Sequence, residues 1–314
     1  MLKMIGKRLL QVIPMLFILS VLSFGLIKLA PGDPVRAYVT PSMKPEDVER
    51  IRESLGLNDS MFVQYFKWLG ELLQGNLGYS IRSSQPVLDE IVARIPASLG
   101  LMAAAIALTL ILSIPLGLLA AYKENKWGDR LLNIVAYVGI SIPSFWLSIM
   151  LILVFSIEFG WFPTMGMRTI GVNTLGDLLW HTVLPVVALS FHMFAVYYRY
   201  VRSNTISELK EDYVQFQRAK GLSRTEIVKN HVLKNVLLPI ITLLGMSLPS
   251  LVSGAFITEK IFSWPGMGTY GIEAIFAFDY PVIMAITLLS GLLLIIGNLV
   301  ADILYQLIDP RIRK

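Results

Sequence analysis

Long apolar runs separated by short polar segments dominate the pattern of this chain. A membrane-spanning helix needs about 20 mostly apolar residues, and six windows meet that requirement. They are Leu9–Ile27, Leu99–Tyr122, Leu131–Ile157, Thr182–Val201, Val236–Ile257 and Val282–Tyr305. These windows are distributed along the whole chain and leave no stretch long enough for a separate soluble domain. The pattern therefore predicts a single all-α membrane domain over residues 1–314, with six transmembrane helices.

The first window has two interpretations. Lys3, Lys7 and Arg8 precede it, as basic residues precede the apolar core of a secretory signal peptide. The apolar stretch is long for such a core, however, and the segment around Leu29 is a poor cleavage site. We therefore expect an uncleaved first membrane helix.

A polar segment of about residues 28–98 follows the first window, and we expect it to be folded and extracytoplasmic. It contains the start and stop signals of two helices. A first helix is predicted between Pro45 and Gly56, and a second, Met61–Leu73, is capped by Ser60. The second helix carries an apolar stripe at helical spacing, formed by Phe62, Tyr65, Phe66, Leu69 and Leu72. This stripe either packs on the outside of the helix bundle or forms a docking surface for an external partner.

The distribution of charge predicts the orientation of the helices. Hydrophobic residues make up 55% of the chain and charged residues 16%, far from the composition of an ordinary soluble domain. The net charge of +5 could suggest a nucleic-acid partner, but the basic residues lie between the apolar runs and form no single stripe. If the amino terminus is inside, 17 of the 27 Lys and Arg are inside, and the two short outer loops hold only Arg168 and Lys260. The positive-inside rule then predicts that both termini are cytoplasmic.

The sequence lacks the motifs of several kinds of catalytic site. The chain has no cysteine, no GxxxxGK[ST] loop to hold ATP phosphates and no HExxH metal motif. The glycines of Gly266–Gly271 match GxGxxG as a string, but Trp264-Pro265 stands where a Rossmann strand would be. We expect a tight outer turn there. No catalytic cluster points to a membrane-embedded enzyme.

Ionisable residues are absent from the centres of the predicted spans, with one exception. Arg199, Glu158 and Asp302 fall near span ends, where their charges reach polar groups. His192 lies within the fourth window and is more typical of a packing residue than of a ligand. An ion-coupled carrier usually places charged groups inside the membrane, so the pattern disfavours that class.

The longest inner loop, about residues 202–235, predicts a helix, a turn and a second helix. The first helix covers about Ser207 to Lys220 and ends at Gly221, where a positive φ costs little. Ser223 and Glu226 then form the spacing of a capping box that begins the second helix. The loop is either a docking element for a soluble motor or a solvated basic loop.

The residues of this loop resemble a known family. The stretch Asp212–Gly221, followed by Asn235-Val236-Leu237-Leu238-Pro239, is similar to the EAA loop of ABC-importer permeases of the oligopeptide, dipeptide and nickel branch. Further matching motifs cover almost the whole chain: Pro31-Gly32-Asp33-Pro34, Leu55-Gly56-Leu57 with Gln64-Tyr65, Ser141-Ile142-Pro143-Ser144-Phe145-Trp146, Trp264-Pro265-Gly266-Met267-Gly268, Asp279-Tyr280-Pro281-Val282-Ile283-Met284 and Asp309-Pro310-Arg311. The chain resembles the B-type permease subunit. It departs from the motif in having Gln215-Phe216-Gln217 where Glu-Ala-Ala is general.

The resemblance implies a six-helix, type I importer fold in the bacterial or archaeal cytoplasmic (inner) membrane. It also implies a heterodimer with a second permease, two ATP-binding subunits that hold ATP and Mg, and an extracytoplasmic solute-binding protein. The chain itself would bind no cofactor or metal and would not be an enzyme. The residues that would couple to the ATPase are Asp212, Tyr213, Ala219, Lys220, Gly221 and Leu222.

Peptides are the expected solute, with nickel or a metal chelate as the alternative within the same family. A bare metal path favours imidazole, thiolate or carboxylate groups, and the spans supply only the imidazole of His192 at mid-depth. The pathway candidates are Ser144, Ser148, His192, Ser247 and Asn298.

Overall fold

A computed structural model of the chain describes residues 2–29, 35, 39, 43–54, 56–253 and 255–308. Its helices, in chain order, are α1 (Leu2–Leu29), α2 (Pro45–Ser54), α3 (Met61–Leu73), α4 (Val87–Tyr122), α5 (Trp127–Ser141), α6 (Ser144–Leu151), α7 (Leu175–Glu208), α8 (Asp212–Ala219), α9 (Arg224–Ile227), α10 (Leu233–Ser253), α11 (Phe256–Ile261), α12 (Met267–Phe276) and α13 (Tyr280–Ile308). Two π-helical segments, Ile152–Glu158 and Val228–Val232, extend α6 and join α9 to α10. The described residues form no strand beyond an isolated bridge between Tyr79 and Pro86, so the all-α prediction is confirmed.

Four helical stretches in the described chain are long and apolar enough to cross a membrane: Val87–Tyr122, Leu175–Glu208, Arg224–Ser247 and Tyr280–Val300. The pair α5 and α6 makes a fifth if it is counted as one broken span. Within α1, the apolar stretch covers Val12–Gly25. The count of six spans therefore stays a prediction.

The predicted third span, Leu131–Ile157, is sharply bent near its middle. The helix α5 ends at Ser141, and the segment beginning at Ser144 leaves it at an angle of 104°. Pro143 causes the break because it donates no backbone hydrogen bond and disfavours helical geometry in the residue before it. Ile142 accordingly adopts φ −78° and ψ 125°, an extended conformation.

Other predicted boundaries also shift. The helix α4 begins at Val87, so the end of the segment predicted as 28–98 is helical. The fourth span is longer than Thr182–Val201 at both ends, and its last turns reach Glu208 inside the segment predicted as the 202–235 loop. The fifth helix ends at Ser253, short of the predicted Ile257, and Phe256 begins the separate helix α11.

The predicted helix start and stop signals in the segment after α1 are confirmed. Gly56 adopts φ +65° two residues after the end of α2. The Ser60 hydroxyl accepts a hydrogen bond of 3.4 Å from the backbone N–H of Val63 and so caps α3. Of the motifs that supported the family resemblance, residues 31–34, Leu55 and residues 309–311 lie outside the described residues.

The helices α4, α5 and α7 pack closely because glycines stand where they meet. A Cβ atom added to Gly117 of α4 would lie 2.7 Å from Cγ1 of Val201 in α7. One added to Gly139 of α5 would lie 2.9 Å from the Cβ of Ala195, also in α7. Both distances are shorter than a van der Waals contact, so α7 is held tightly between its two neighbours.

Candidate functional site

The helix pair predicted in the inner loop is present, but its first helix is shorter than the predicted Ser207–Lys220. Ser207 belongs to the last turn of α7, and α8 starts only at Asp212. The end of α8 is a Schellman motif, because the N–H of Gly221 donates to the carbonyl of Arg218 (2.9 Å) and that of Leu222 to Gln217 (3.3 Å). Gly221 has φ +86°, as predicted.

The second helix of the pair begins at the predicted capping box. The Ser223 hydroxyl accepts from the N–H of Glu226 at 3.3 Å, and the N–H of Ser223 donates to the Glu226 carboxylate at 2.9 Å. Through α9 and the π-helical segment this helix continues directly into α10. The turn at Gly221 is therefore directly followed by a helix that is long and apolar enough to cross a membrane.

One face of α8 is anchored in the bundle. Val214 is fully buried in a cluster with Val201 of α7, Ile227 of α9 and Val236 of α10. Tyr213 and Leu222, both predicted to contact an ATPase, pack against this cluster and face the bundle. Their position makes them supports for α8.

A polar clamp ties α8 to the ends of two long helices. The Glu208 carboxylate, at the end of α7, accepts a hydrogen bond of 2.5 Å from the Tyr213 hydroxyl and one of 2.8 Å from the Asn235 side-chain amide of α10. Burial, together with the neighbouring Glu208 carboxylate, raises the pKa of Tyr213, so the hydroxyl remains a donor at neutral pH. The clamp fixes α8 relative to α7 and α10.

Two further contacts tie the same region to α4 and α5. The Arg202 guanidinium of α7 contacts both oxygens of Asp129 in α5, at 2.5 and 2.7 Å, and Asp129 is only 2% exposed. The Arg224 guanidinium of α9 lies 4.1 Å from the ring centroid of Tyr122, the last residue of α4. Four long helices thus converge on the turn that contains α8.

The opposite face of α8 is available for a partner. Asp212, Ala219, Lys220 and Gly221, all predicted coupling residues, are exposed there. Phe216 lies among them with 59% of its surface exposed, and the Lys220 ammonium is 4.4 Å from its ring centroid. An exposed aromatic ring beside a cation is typical of a protein interface. Sequence reasoning treated Phe216 only as a departure from the family motif.

Three of the predicted pathway residues meet in one cavity. Ser144, His192 and Ser247 line a cavity of about 580 Å³ beside the break between α5 and α6. A ring nitrogen of His192 lies 3.3 Å from the Gly139 carbonyl, and the Ser247 hydroxyl donates to the Leu243 carbonyl at 2.8 Å. The polar groups that face this cavity are thus uncharged hydroxyls and an imidazole.

The other two pathway candidates lie elsewhere. Ser148 is fully buried, and its hydroxyl donates to the carbonyl of Ser144 at 2.9 Å, so it stabilises α6. Asn298 is exposed on α13 and does not line the cavity. Among the residues that the structure describes, no group of three or more His, Cys, Asp or Glu could hold a metal ion.

The predicted tight turn is present only at the first glycine of the GxGxxG string, where the N–H of Gly266 donates to the carbonyl of Trp264 at 2.8 Å. The other two glycines lie within helix α12. Gly266 precedes α12, and its missing Cβ leaves room for the Glu259 carboxylate, which a Cβ would approach to 2.4 Å. The fully buried Glu259 accepts hydrogen bonds from the N–H groups of Gly268 and Thr269, at 2.8 and 3.2 Å, and from the Ser98 hydroxyl at 2.8 Å. Burial raises the pKa of Glu259, although these hydrogen bonds oppose the shift.

Glu259 therefore caps α12 from outside the helix, in place of the side chain that Gly266 lacks. Its charge is compensated by the positive N-terminal end of that helix. The spacing of Glu259 and the glycines gives no recognised capping signal, because Glu259 lies eight residues before the start of α12 at Met267. Sequence reasoning missed it for that reason.

This fold and this site define a class: a multi-pass helical membrane protein that presents a short anchored helix pair at one end of its bundle. Residues 113–314 match the model for the inner membrane component of binding-protein-dependent transport systems. Residues 1–102 match the model for the amino-terminal part of such membrane components. The chain belongs to the family of binding-protein-dependent transport system inner membrane components, and it is a transport subunit.

Relatives of known name match along the whole chain. The oligopeptide transport system permease protein AppB of Bacillus subtilis is 42% identical over 308 residues, which are 98% of each chain. The glutathione transport system permease protein GsiC of Escherichia coli K12 is 39% identical over 313 residues, covering 100% of this chain and 99% of GsiC. A putative peptide permease protein of Brucella ovis is 40% identical over 317 residues.

A solved structure shares the fold. A chain from the inward-facing MetNI methionine ABC transporter aligns with a TM-score of 0.55 over 70% of this chain and 96% of its own length, at 15% identity. At that identity the likeness concerns the fold alone. It confirms the expectation of a type I ABC importer permease fold.

Proposed function

We propose that this chain is the permease subunit of an ATP-driven importer of peptides, and that it receives mechanical work through α8. The single observation that carries the proposal is the two-sided character of α8. Its inner face is fixed to α7 and α10 through Val214 and Tyr213, while Phe216 and Lys220 on its outer face have no cover within the described chain. The printed names of the relatives support peptides as the solute.

The lever in this proposal is α7. Sixteen residues separate Glu208, which holds α8, from His192, which lines the cavity. At 1.5 Å per residue they lie about 24 Å apart along the helix axis. Because α7 is packed tightly against α4 and α5 at its glycine contacts, a tilt imposed at α8 moves the cavity wall as one rigid element.

The partners in this proposal are those that membership of the family implies. Two ATP-binding subunits hold ATP and Mg and grip α8 and its counterpart, a second permease completes the pathway, and an extracytoplasmic binding protein delivers the solute. The chain itself contributes no ATPase site. The concentration of Lys and Arg in the segments predicted to be inside supports an orientation with both termini and α8 in the cytoplasm.

The cavity suits an uncharged polar chain better than a bare metal ion. Hydroxyl and imidazole groups from Ser144, His192 and Ser247 can exchange hydrogen bonds with peptide groups. A closed ligand shell for a metal would need several such donors close together. A chelated metal remains the competing solute that the experiment must distinguish.

Uptake by cells that lack this chain tests the proposal. Labelled short peptides and labelled nickel are supplied in parallel to the deletion strain, the complemented strain and a strain in which the partner ATPase is inactivated. We expect peptide uptake to be lost without the chain or without ATP hydrolysis, while nickel accumulation is unchanged. Loss of nickel accumulation with peptide uptake intact, in cells with no second peptide system, would contradict the proposed solute.

A further inference from the structure

The helix α3 is amphipathic, and this chain covers only part of its apolar face. Tyr65 is buried against α1, with its ring centroid 5.5 Å from that of Phe24. Further round the helix, Phe62 is 72% exposed, Phe66 48% and Leu73 79%. These three residues recur at i, i+4 and i+11, which places them along one apolar stripe. Lys67 and Glu71 are exposed on the other side of α3.

Contacts with α1 establish the level at which α3 lies. The Lys28 ammonium, at the end of α1, donates a hydrogen bond to the Gln64 side chain. The Tyr65 hydroxyl is hydrogen-bonded to the hydroxyl of Ser20, at 2.8 Å. Ser20 precedes Lys28 by eight residues, and therefore by about 12 Å along the helix axis. One edge of α3 is thus level with the charged end of α1, while Tyr65 reaches well into the depth of its apolar stretch.

An unbroken aromatic surface joins the two helices. The ring of Tyr65 lies 6.3 Å from that of Phe17 in α1 and 5.2 Å from that of Phe66, and Phe66 lies 4.7 Å from Phe62. Phe17 is itself 51% exposed, in a stretch of α1 whose other exposed residues are apolar: Ile13, Met15, Ile18, Val21 and Leu22. The exposed apolar surface of α1 therefore continues onto the exposed stripe of α3.

We propose that α3 lies in the membrane interface of the leaflet remote from α8, with Phe62, Phe66 and Leu73 among the lipid acyl chains and Lys67 and Glu71 in water. An amphipathic helix in this position buries its apolar face about 5–10 Å into the boundary between headgroups and acyl chains. The Tyr65 hydroxyl reaches slightly deeper than this range, because its partner Ser20 lies about 12 Å from Lys28 along the axis of α1. The Lys28 ammonium marks the polar level, as basic side chains at helix ends do.

The occupant is lipid because the exposed stripe is continuous, through Tyr65 and Phe17, with the exposed apolar surface of a helix predicted to span the membrane. In this position α3 sets the depth and tilt of α1 in the membrane. The inference concerns the membrane alone and holds whichever solute the importer carries.

Depth-dependent fluorescence quenching tests this placement in the complete complex. Because the chain has no cysteine, single cysteines can replace Phe62, Phe66 or Leu73 on the stripe, and Lys67 or Glu71 as matched controls on the polar face. Each is labelled with an environment-sensitive fluorophore in phosphatidylcholine vesicles. Nitroxide groups on the lipid acyl chains and iodide in the water serve as quenchers.

We expect the acyl-chain nitroxide to quench the three stripe positions several-fold more than the two controls, with the opposite order for iodide. Leu73 lies outside the aromatic cluster, so the test survives if replacing a phenylalanine disturbs α3. Iodide quenching of the stripe as strong as that of the controls would place the stripe in water and overturn the proposal. Protection of the stripe from both quenchers would mean that protein covers it, which also overturns the proposal.

Discussion

Replacing Gly221 by valine is expected to leave the protein inserted in the membrane and to reduce transport by about 5- to 30-fold. Gly221 holds the left-handed turn after α8 at φ +86°. A residue with a side chain costs about 1–2 kcal/mol in that conformation, and a β-branched one more. That energy corresponds to a factor of about 5–30 in the population of the correct turn. A Cβ at this position meets no atom within 4 Å, so the effect is conformational and not steric.

Gly221→Asn is the matched control, because asparagine adopts the left-handed conformation more readily than other residues with side chains. Transport and solute-stimulated ATP hydrolysis are measured in purified complexes of equal composition. We expect the asparagine variant to retain most of its activity and the valine variant to lose it. Equal, normal rates in both variants would show that the geometry of this turn does not matter for coupling.

The second large effect is expected at the ion pair between Arg202 and Asp129. Both carboxylate oxygens of Asp129 bind the guanidinium, and the carboxylate is almost completely buried. Arg202→Met leaves that charge without its cation, and breaking a buried pair in this way costs about 3–5 kcal/mol. The measurement is the free energy of unfolding in detergent, from the denaturant midpoint and slope.

Arg199→Met is the control for this prediction, since Arg199 is on the same helix but is exposed. Its guanidinium lies 5.1 Å from the ring centroid of Tyr137 and carries no ion pair in the described chain. A surface cation of that kind contributes about 0.5–1 kcal/mol. The double variant Arg202→Met, Asp129→Leu removes the orphaned charge and should recover part of the loss. If Arg202→Met and Arg199→Met lowered the free energy of unfolding by similar amounts, the ion pair would not be the contact that holds α5 to α7.

Local signals allowed much of the fold to be predicted. The apolar windows locate the long helices because a bilayer admits few other structures. Gly221, Ser223 and Glu226 locate the turn because helix ends depend on residues a few positions apart. The family resemblance rested on the same local motifs, and the matches over residues 1–102 and 113–314 confirm it.

Contacts between distant residues could not be predicted from one sequence. Asp129 and Arg202 are 73 positions apart, and Arg202 alone looks like one more basic residue of an inner loop. Tyr213 and Phe216 are three positions apart in one short helix, yet only the packing of α8 shows that the first faces the bundle and the second faces outward. The pathway residues were judged by residue type, which does not separate the cavity-lining Ser144 from the buried Ser148.

Cross-linking from the outer face of α8 is the most direct test of its role as the coupling helix. A cysteine at Phe216, in the otherwise cysteine-free chain, is treated with a short bifunctional reagent in the assembled complex. Ile170, fully exposed in a loop predicted to be extracytoplasmic, is the control position. We predict that the Phe216→Cys chain joins the ATP-binding subunit, with a yield that changes when ATP is added, and that the Ile170→Cys chain does not. Assembled complexes in which Phe216→Cys gives no such product, or in which only Ile170→Cys gives it, would contradict both the docking role of α8 and the proposed orientation.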